Sequence, residues 1–290
     1  MQYLMSLILF LTFCFPVYGE DLDGKAYFQK GRNEFNNGRY EEAIVSLTRA
    51  GKEFTILGDY ALLWLSDAYH ETGNHKESLE TIRTLLKQYP HSPLVKKSLT
   101  REIKEASEVS EENIQTLYEC YVKDYPSDAE MKYLYAQWLK HNGQSDKARL
   151  FFKEIYIDAR AFSMMAFQEL DASDINVGDM LKHASNHIKL VNYKTAESVL
   201  RSALAKDDGR FKNEILRELG LSLFKQKKYR EASDIYKQAG ERYWEIRSLY
   251  RAGEKATLND SLDQLLGSSD KRMSSVLISL AEPRHIRQNP

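Results

Sequence analysis

Two pairs of histidines come nearest to the spacing that metal chemistry needs. His183 and His187 lie four residues apart in a predicted helix, so both imidazoles share one helix face and could bind one metal ion. No acidic or thiol partner accompanies them in an evident ligand pattern, so packing against neighbouring helices is the favoured interpretation. His70 and His75 flank the turn HETGNH, and we interpret them as solvated loop residues. The sequence therefore predicts no metal site and no cofactor.

The residues that could act as nucleophiles or acids lack a catalytic context. Cys120 stands in the apolar stretch LYECYVKDYP, which predicts a buried structural thiol. The acidic pairs Glu41-Glu42 and Glu111-Glu112 stand at predicted helix starts, where a negative charge favours the positive end of the helix dipole. The basic stretch KQKKYR at 225–230 is interpreted as a solvated turn. No phosphate loop, GxSxG motif or Cys/His array is present, so we expect no enzyme activity from this chain.

A repeat organises the elements that carry these side chains. Residues 35–43 read FNNGRYEEA, and residues 224–232 read FKQKKYREA. Small or apolar residues recur in the same register at spacings of 35, 36, 34, 48 and 36. A period near 34 is typical of helix–turn–helix solenoid units. The register positions are Ala43, Ser78, Ile114, Ala148, Ala196 and Ala232.

The first unit shows why each repeat should be a pair of helices. Apolar or small residues recur at helical spacing on both sides of the turn Asn36-Asn37-Gly38. Glycine tolerates the left-handed backbone that ends a helix, so Gly38 is expected there. Gly31 and Ala43 are expected to be small so that the two helices approach closely. Tyr40 is expected to cover the contact at the turn.

These residues resemble the tetratricopeptide repeat over residues 25–240. The resemblance implies an all-α fold, a right-handed α-solenoid of helix–turn–helix repeats. An additional helix is predicted in ARAFSMMAFQEL, followed by a polar hinge with Asp174 as a possible N-cap. The expected organisation is a first stack at 20–174, a second stack at 175–283 and a frayed tail at 284–290. The positions that match the repeat are Gly31, Gly38, Tyr40, Ala43, Leu47, Ala50, Tyr69, Gly73, Ile82, Pro90, Gly143, Ala148, Phe152, Leu219, Gly220, Tyr229, Ala232, Tyr236 and Ala239.

The first helix of each unit should line the concave side of such a superhelix. Aromatic side chains beside hydrogen-bonding groups on that face would suit an extended peptide or a sugar. The alternative is that the aromatic residues pack between helices. The predicted groove residues are Phe28, Arg32, Phe35, Tyr60, Asp67, His70, Tyr133, Gln137, Arg217 and Phe224.

A second resemblance covers particular segments. Asp59 to Leu62, Tyr89 to Pro93 and the stretch DKRMSSVLISLAE are similar to the N-terminal superhelical region of soluble lytic murein transglycosylases. That family cleaves peptidoglycan glycan strands with a glutamate in a separate domain, whose Glu-Ser, Gly-Leu-Met-Gln and Ala-Tyr-Asn-Ala-Gly motifs are absent here. Glu77-Ser78 and Glu197-Ser198 lack that context and inherit no catalytic role. The resemblance implies a cell-wall-associated superhelix without the catalytic domain.

Residues 1–19 have the layout of a secretory signal peptide, an apolar run followed by small residues before the first acidic side chains. We expect a periplasmic protein, with an uncleaved membrane anchor as the alternative. The net charge of −1 gives no electrostatic argument for nucleic acid. The expected partners are a peptide, a protein or peptidoglycan glycan, and the oligomeric state is left open.

Three hypotheses follow from the sequence. The first is an exported, non-catalytic superhelix that binds cell-wall material or a wall-associated protein. The second is a general periplasmic tetratricopeptide scaffold for protein–protein interaction. The third is a truncated fragment of a full lytic transglycosylase.

Overall fold

A computed structural model describes residues 23–254, which form fourteen α-helices and one short 3₁₀ turn, without a strand among them. The predicted all-α fold of stacked helical repeats is confirmed. The predicted signal peptide, the helices predicted beyond residue 254 and the tail at 284–290 lie outside the described residues. Within residues 23–254, no helix combines the length and apolar character that crossing a bilayer requires.

The described residues divide into two compact units, residues 23–124 and residues 125–254. The predicted boundary between two stacks near residue 175 stays a prediction. The first unit contains α1 (Gly24–Asn36), α2 (Tyr40–Glu53), α3 (Gly58–Glu71), α4 (His75–Gln88), α5 (Val95–Glu108) and α6 (Ile114–Asp124). The second unit contains α7 (Ala129–His141), α8 (Ser145–Asp158), α9 (Ser163–Gln168), α10 (Val177–Lys189), α11 (Tyr193–Lys206), α12 (Lys212–Lys225), α13 (Tyr229–Gln238) and α14 (Arg242–Ala252).

The small residues allow close helix packing, as predicted. Ala43 and Leu47 on α2 are fully buried against α1. A Cβ atom on Gly31 would lie 2.6 Å from the Leu47 Cγ atom, which is closer than van der Waals contact permits. Gly220 repeats this arrangement on α12, where a Cβ atom would lie 2.7 Å from Cε1 of Tyr236.

The turn between the paired helices uses the same left-handed residue in several repeats. Gly38, Gly73 and Gly143 have φ angles of 73°, 74° and 74°. Val191 and Lys227 occupy the equivalent position before Asn192-Tyr193 and Lys228-Tyr229, with φ angles of 64° and 65°. The repeat therefore imposes this backbone conformation even where the residue is not glycine.

Each of the two matching stretches brings three aromatic rings together. The Phe35 and Tyr40 rings lie 5.2 Å apart at 68°, and the Phe224 and Tyr229 rings have the same distance and angle. A tryptophan of the next first helix, Trp64 or Trp244, completes each group edge-on at 5.0 or 5.6 Å. The repeated sequence thus encodes a repeated contact between consecutive helix pairs.

The segment between α8 and α10 contains the predicted additional helix, the six-residue α9. Asp174 is not the N-cap of α10, so that prediction is wrong. Asn176 is the N-cap, because its side chain accepts from the Asp179 amide while the Asp179 carboxylate accepts from the Asn176 amide. Asp174 instead accepts from the Asp171 amide within the preceding turn.

Cys120 is exposed, so the predicted burial of its thiol is wrong. The buried positions of α6 are Ile114, Tyr118 and Tyr121. Successive helical residues point about 100° apart, so neighbours in sequence do not share a face. The apolar stretch around Cys120 buries its tyrosines and leaves the thiol on the solvent side.

Candidate functional site

An open groove of about 860 Å³ lies in the second unit between α10 and the start of α12. We call it the α10–α12 groove. Its volume falls within the range of about 300 to 1,000 Å³ that is usual for ligand sites. The residues that line it are Ile157, Asn176, Val177, Gly178, Asp179, Leu181, Lys182, Ser185, Asn186, Lys189, Lys206, Asp207, Asp208, Arg210, Phe211 and Glu214.

Local hydrogen bonds fix both walls of this groove. The capping box of Asn176 and Asp179 sets the start of α10. On the other wall, the Asp207 carboxylate accepts from the amides of Gly209 and Phe211 and closes the turn before α12. The Phe211 ring reaches α10 at Gly178, where a Cβ atom would lie 3.5 Å from its Cζ atom.

The groove continues toward α7. A second cavity of about 390 Å³ shares Ile157 and Asn186 with the first and extends to Ala129 and Lys132 at the start of α7. The Asn186 side chain donates to the Ile157 carbonyl oxygen at 2.8 Å, which fixes α10 against the end of α8. The two cavities are therefore neighbours, and their linings include residues of three first helices, α7, α10 and α12.

Exposed cations line the groove, and one of them, Arg210, lies over the Phe211 ring at 5.2 Å. Lys182, Lys206 and Arg210 are exposed, and none forms an ion pair with another residue of the range 23–254. Three of the four acidic groups in the lining are engaged. Asp179 caps α10 and lies 3.3 Å from the Lys153 ammonium nitrogen, while Asp207 and Asp208 accept from backbone amides. Glu214 is exposed and forms no ion pair within residues 23–254.

A carboxyl group next to the groove is held at raised pKa. Burial raises the pKa of Glu218 on α12, the nearby Glu214 raises it further, and Lys189 opposes this shift. Glu214 and Glu218 lie on α12, Lys182 and Lys189 lie on α10, and Lys206 ends α11.

His183 and His187 pack structurally, as predicted. His183 is buried, its Nδ1 lies 2.6 Å from the Tyr156 carbonyl oxygen, and its ring stacks on that of Tyr156 at 4.0 Å. Burial lowers the pKa of His183 to about 4 despite the contact with Tyr156, and it also lowers the pKa of His187. The two Nε2 atoms lie 3.2 Å apart, so the histidines bond to each other.

The predicted groove residues of α1 and the start of α3 lie among packing contacts. Phe28 is buried, and Phe35 is half-buried against Trp64. The guanidinium of Arg32 is exposed and lies 5.7 Å from the Phe28 ring and 5.5 Å from the Trp64 ring. Tyr60 is 38% exposed. Phe28 and Phe35 therefore pack between helices, which is the alternative to a role in a binding groove.

Asp67 and His70 belong to a charged network between α3 and α5. Arg101 donates to Asp67 and to Oε1 of Glu105. Nδ1 of His70 lies 2.9 Å from Oε1 of the fully buried Glu105, and Nδ1 of His75 lies 2.8 Å from its Oε2. The interpretation of His70 and His75 as solvated loop residues is wrong, because both imidazoles turn inward to this carboxylate.

Tyr133 and Gln137 lie on one face of α7. Tyr133 is buried, its ring contacts Phe152 at 5.5 Å, and its hydroxyl donates to Glu169 at 3.4 Å. The Gln137 amide donates to the same hydroxyl at 3.2 Å. Burial, followed by the charge of Glu169, raises the pKa of Tyr133.

Arg217 and Phe224 lie on α12 and serve the contact with α14. Arg217 is exposed, and its guanidinium lies 2.7 Å from the Glu241 carboxylate. Phe224 contacts Tyr229 and Trp244. None of the ten predicted residues lines the α10–α12 groove.

The residues of the groove had a weak signal in the sequence. The rule that first helices line the binding face identifies α10 and α12 as candidates. None of the repeat positions identified from the sequence lies in α10, so the sequence pattern does not point to this helix. The sequence Asn-Val-Gly-Asp at 176–179 carries the capping pattern and could have fixed the start of that helix.

Comparisons with known proteins agree with this architecture. The sequence profile of the tetratricopeptide repeat family matches residues 28–93 and 181–245. A comparison with curated protein sequences gave no match.

Two solved structures illustrate the structural likeness. A tetratricopeptide repeat protein from Parabacteroides merdae is 14% identical, with a TM-score of 0.42 over 88% of this chain and 97% of that chain. The TPR2AB-domain:pHSP90 complex of yeast Sti1 is 14% identical, with a TM-score of 0.36 over 82% of this chain and 96% of that chain.

The helix pairs, their left-handed turns and the two profile matches lead to one conclusion. The chain is built from tetratricopeptide-like helical repeats.

Proposed function

We propose that this protein is a non-catalytic binding scaffold whose second unit holds an extended, acidic segment of a partner polypeptide in the α10–α12 groove. Repeats of this type present first helices along a concave surface, which suits an elongated ligand. The fold is typically one of binding and not of catalysis.

The adjacency of the two cavities carries this proposal. The two cavities share Ile157 and Asn186, and their linings include residues of α7, α10 and α12. An extended chain advances about 3.3 Å per residue, so a short segment can span both cavities. A compact small ligand would need only one of the two cavities.

The charges of the groove favour acidic side chains in the partner. Lys182, Lys206 and Arg210 are exposed and have no acidic partner within residues 23–254. Asp179 and Asp207, by contrast, already accept hydrogen bonds from backbone amides. Carboxylates of a bound segment would complete the pairing of the lysines and of Arg210.

Selection of peptides from a random display library against the full-length protein tests the proposal. We expect enrichment of peptides that contain Asp and Glu. The double variant Lys182→Glu, Lys206→Glu should weaken their binding at least about tenfold, because loss of one charge-assisted hydrogen bond costs about 1.5 to 3 kcal/mol.

The matched control is the double variant Lys194→Glu, Lys237→Glu. Both lysines are exposed on α11 and α13 and do not line the groove, and Lys206 and Lys237 each stand in the last turn of a helix. Binding should be unchanged in this control. Equal losses in both double variants, or no enriched peptide, would refute the proposal.

A narrower proposal adds export and association with peptidoglycan, through a relationship to the superhelical part of lytic transglycosylases. It rests on the similar segments at 59–62 and 89–93. These segments touch each other, since Ser92 donates to the Asp59 carboxylate, and the Tyr89 hydroxyl lies against the neighbouring Gly58. That contact joins the start of α3 to the end of α4, which is a structural reason for those residue types.

Sedimentation with purified sacculi tests this narrower proposal. Co-pelleting above that of an unrelated tetratricopeptide protein would support it. Pelleting no greater than that control would count against wall binding and would leave the peptide groove unaffected.

A further inference from the structure

We propose that His70, His75 and Glu105 form a zinc-binding site within the first unit. The three side chains come from the last turn of α3, the first residue of α4 and the penultimate turn of α5. One ligand atom from each lies within 4.8 Å of the others. Two imidazoles and one carboxylate are a ligand set that Zn²⁺ takes together with a water molecule.

The distances suit closure on a small ion. Nδ1 of His70 and Nδ1 of His75 lie 2.9 and 2.8 Å from the two Glu105 oxygens. Tetrahedral zinc with bonds of about 2.1 Å separates neighbouring ligand atoms by about 3.4 Å. Each pair therefore needs to open by about half an ångström, which side-chain rotation supplies.

One of these nitrogens lacks a hydrogen-bond partner. Nδ1 of His70 is buried and lies close to Oε1 of Glu105, but it has no correctly aligned hydrogen bond. A buried polar atom without a partner costs free energy. Coordination of a metal ion would satisfy it.

The surroundings hold the carboxylate in place. Glu105 is fully buried, and Arg101 bridges it to Asp67. The charges of Asp67, Glu105 and Arg101 sum to −1, and the sum becomes +1 when the ammonium groups of Lys97 and Lys104 stay close to this network. Lys97 and Lys104, the other cations that face this network, are exposed and can turn to solvent.

Lys104 sets the tautomer that a metal ion must change. Its ammonium lies 3.1 Å from Nε2 of His70, and an ammonium can only donate. Nε2 is therefore unprotonated in this arrangement, and the proton of a neutral His70 stands on Nδ1. When zinc binds Nδ1, that proton moves to Nε2 and Lys104 turns away.

Titration of the EDTA-treated, full-length protein with Zn²⁺, followed by calorimetry and by the melting temperature, tests the site. We expect one ion per chain and a zinc-dependent rise in melting temperature, because an ion bound only by the folded state stabilises it. Co²⁺ should give the visible absorption of a tetrahedral site. His75→Gln should weaken zinc binding at least about 10- to 100-fold.

Two further variants separate a metal site from a structural network. Lys104→Gln should tighten zinc binding, because the glutamine oxygen accepts from Nε2 as a supporting partner of the ligand. A merely structural role of His70 does not predict a tighter zinc site. Glu105→Gln removes the buried carboxylate and should abolish zinc binding. If Glu105→Gln does not fold, His75→Gln still tests the site.

The pair His183 and His187 provides the matched control, because it has the spacing of a metal site but lies in a buried stack. Zinc affinity should be unchanged in His187→Gln. Absence of zinc-induced stabilisation in the wild type, or loss of affinity in His187→Gln and not in His75→Gln, would overturn the proposal.

Discussion

Single residues in this protein carry conformations and charges that the repeat imposes on them. Val191 stands in a left-handed turn with φ at 64°, a conformation that a β-branched side chain rarely adopts. His183 is buried without a charge. In both cases the packing of the repeat imposes a locally unfavourable state, and substitution of each residue can measure its cost.

Val191→Gly should stabilise the protein. The left-handed conformation costs a residue with a Cβ atom about 1 to 2 kcal/mol, and glycine removes this cost. Glycine also gives the unfolded chain more conformational entropy, which offsets part of the stabilisation. We expect a net increase of about 1 kcal/mol in the free energy of unfolding, measured by urea denaturation.

Val45→Gly is the control for this substitution, because Val45 is 64% exposed and Val191 is 65% exposed. Val45 lies within α2, so glycine there should lower stability by about 0.5 to 1 kcal/mol. Destabilisation by both substitutions would mean that Val191 is not strained.

His183 should make stability depend on pH. Its pKa is lowered to about 4 in the folded state, whereas the unfolded value is near 6.5. Between these values the unfolded chain binds the extra proton, so stability is complete above pH 6.5 and falls as the pH drops toward 4. The full effect is up to about 3 kcal/mol, since one pKa unit corresponds to about 1.4 kcal/mol.

Urea denaturation of the wild type and of His183→Gln across this range measures the effect. The wild type should lose its stability advantage over the variant as the pH falls. The exposed His91 serves as the control, and His91→Gln should keep the wild-type profile. A constant difference between wild type and His183→Gln at every pH would contradict the assignment.

At the scale of the helix, small residues decide how closely consecutive helices pack. Gly31 faces Leu47 across the α1–α2 contact, where a Cβ atom would come within 2.6 Å. Gly51 on α2 is also helical, but there a Cβ atom would lie 3.6 Å from the Leu62 side chain. Close helix packing therefore requires a glycine at position 31 but leaves room for a methyl group at position 51.

Gly31→Ala should destabilise the protein by about 1 to 3 kcal/mol, because the new methyl group overpacks the helix contact. Gly51→Ala should instead stabilise it by about 0.5 to 1 kcal/mol, because alanine favours the helix. Thermal denaturation followed by circular dichroism distinguishes the two. A neutral Gly31→Ala would contradict the close α1–α2 contact.

At the scale of the whole molecule, the repeat could be predicted because its physical demands recur along the chain. Gly38, Ala43 and Tyr40 each have a role that their type alone indicates, and the pair of matching stretches builds the same three-ring contact twice. The turn residues Val191 and Lys227 carry no such signal, since the repeat overrides their preference.

The binding surfaces were harder to predict for two physical reasons. The sequence does not distinguish an aromatic residue that packs in the core from one that contacts a ligand. Phe28 and Phe35 both pack between helices. The convergence of His70 and His75 on Glu105 depends on a residue 30 positions beyond His75. Periodicity identifies helix faces but does not identify which distant side chains meet.

The central claim, that the second unit binds an extended polypeptide along α10 and α12, can be tested most directly by mapping a bound peptide. An acidic peptide obtained by selection is added to the isotope-labelled full-length protein, and backbone amide shifts are recorded by NMR. The account predicts that the largest shifts lie on α10, in the turn at 206–211 and at the start of α12. Shifts confined to α11 and α13, or to residues 23–124, would contradict it.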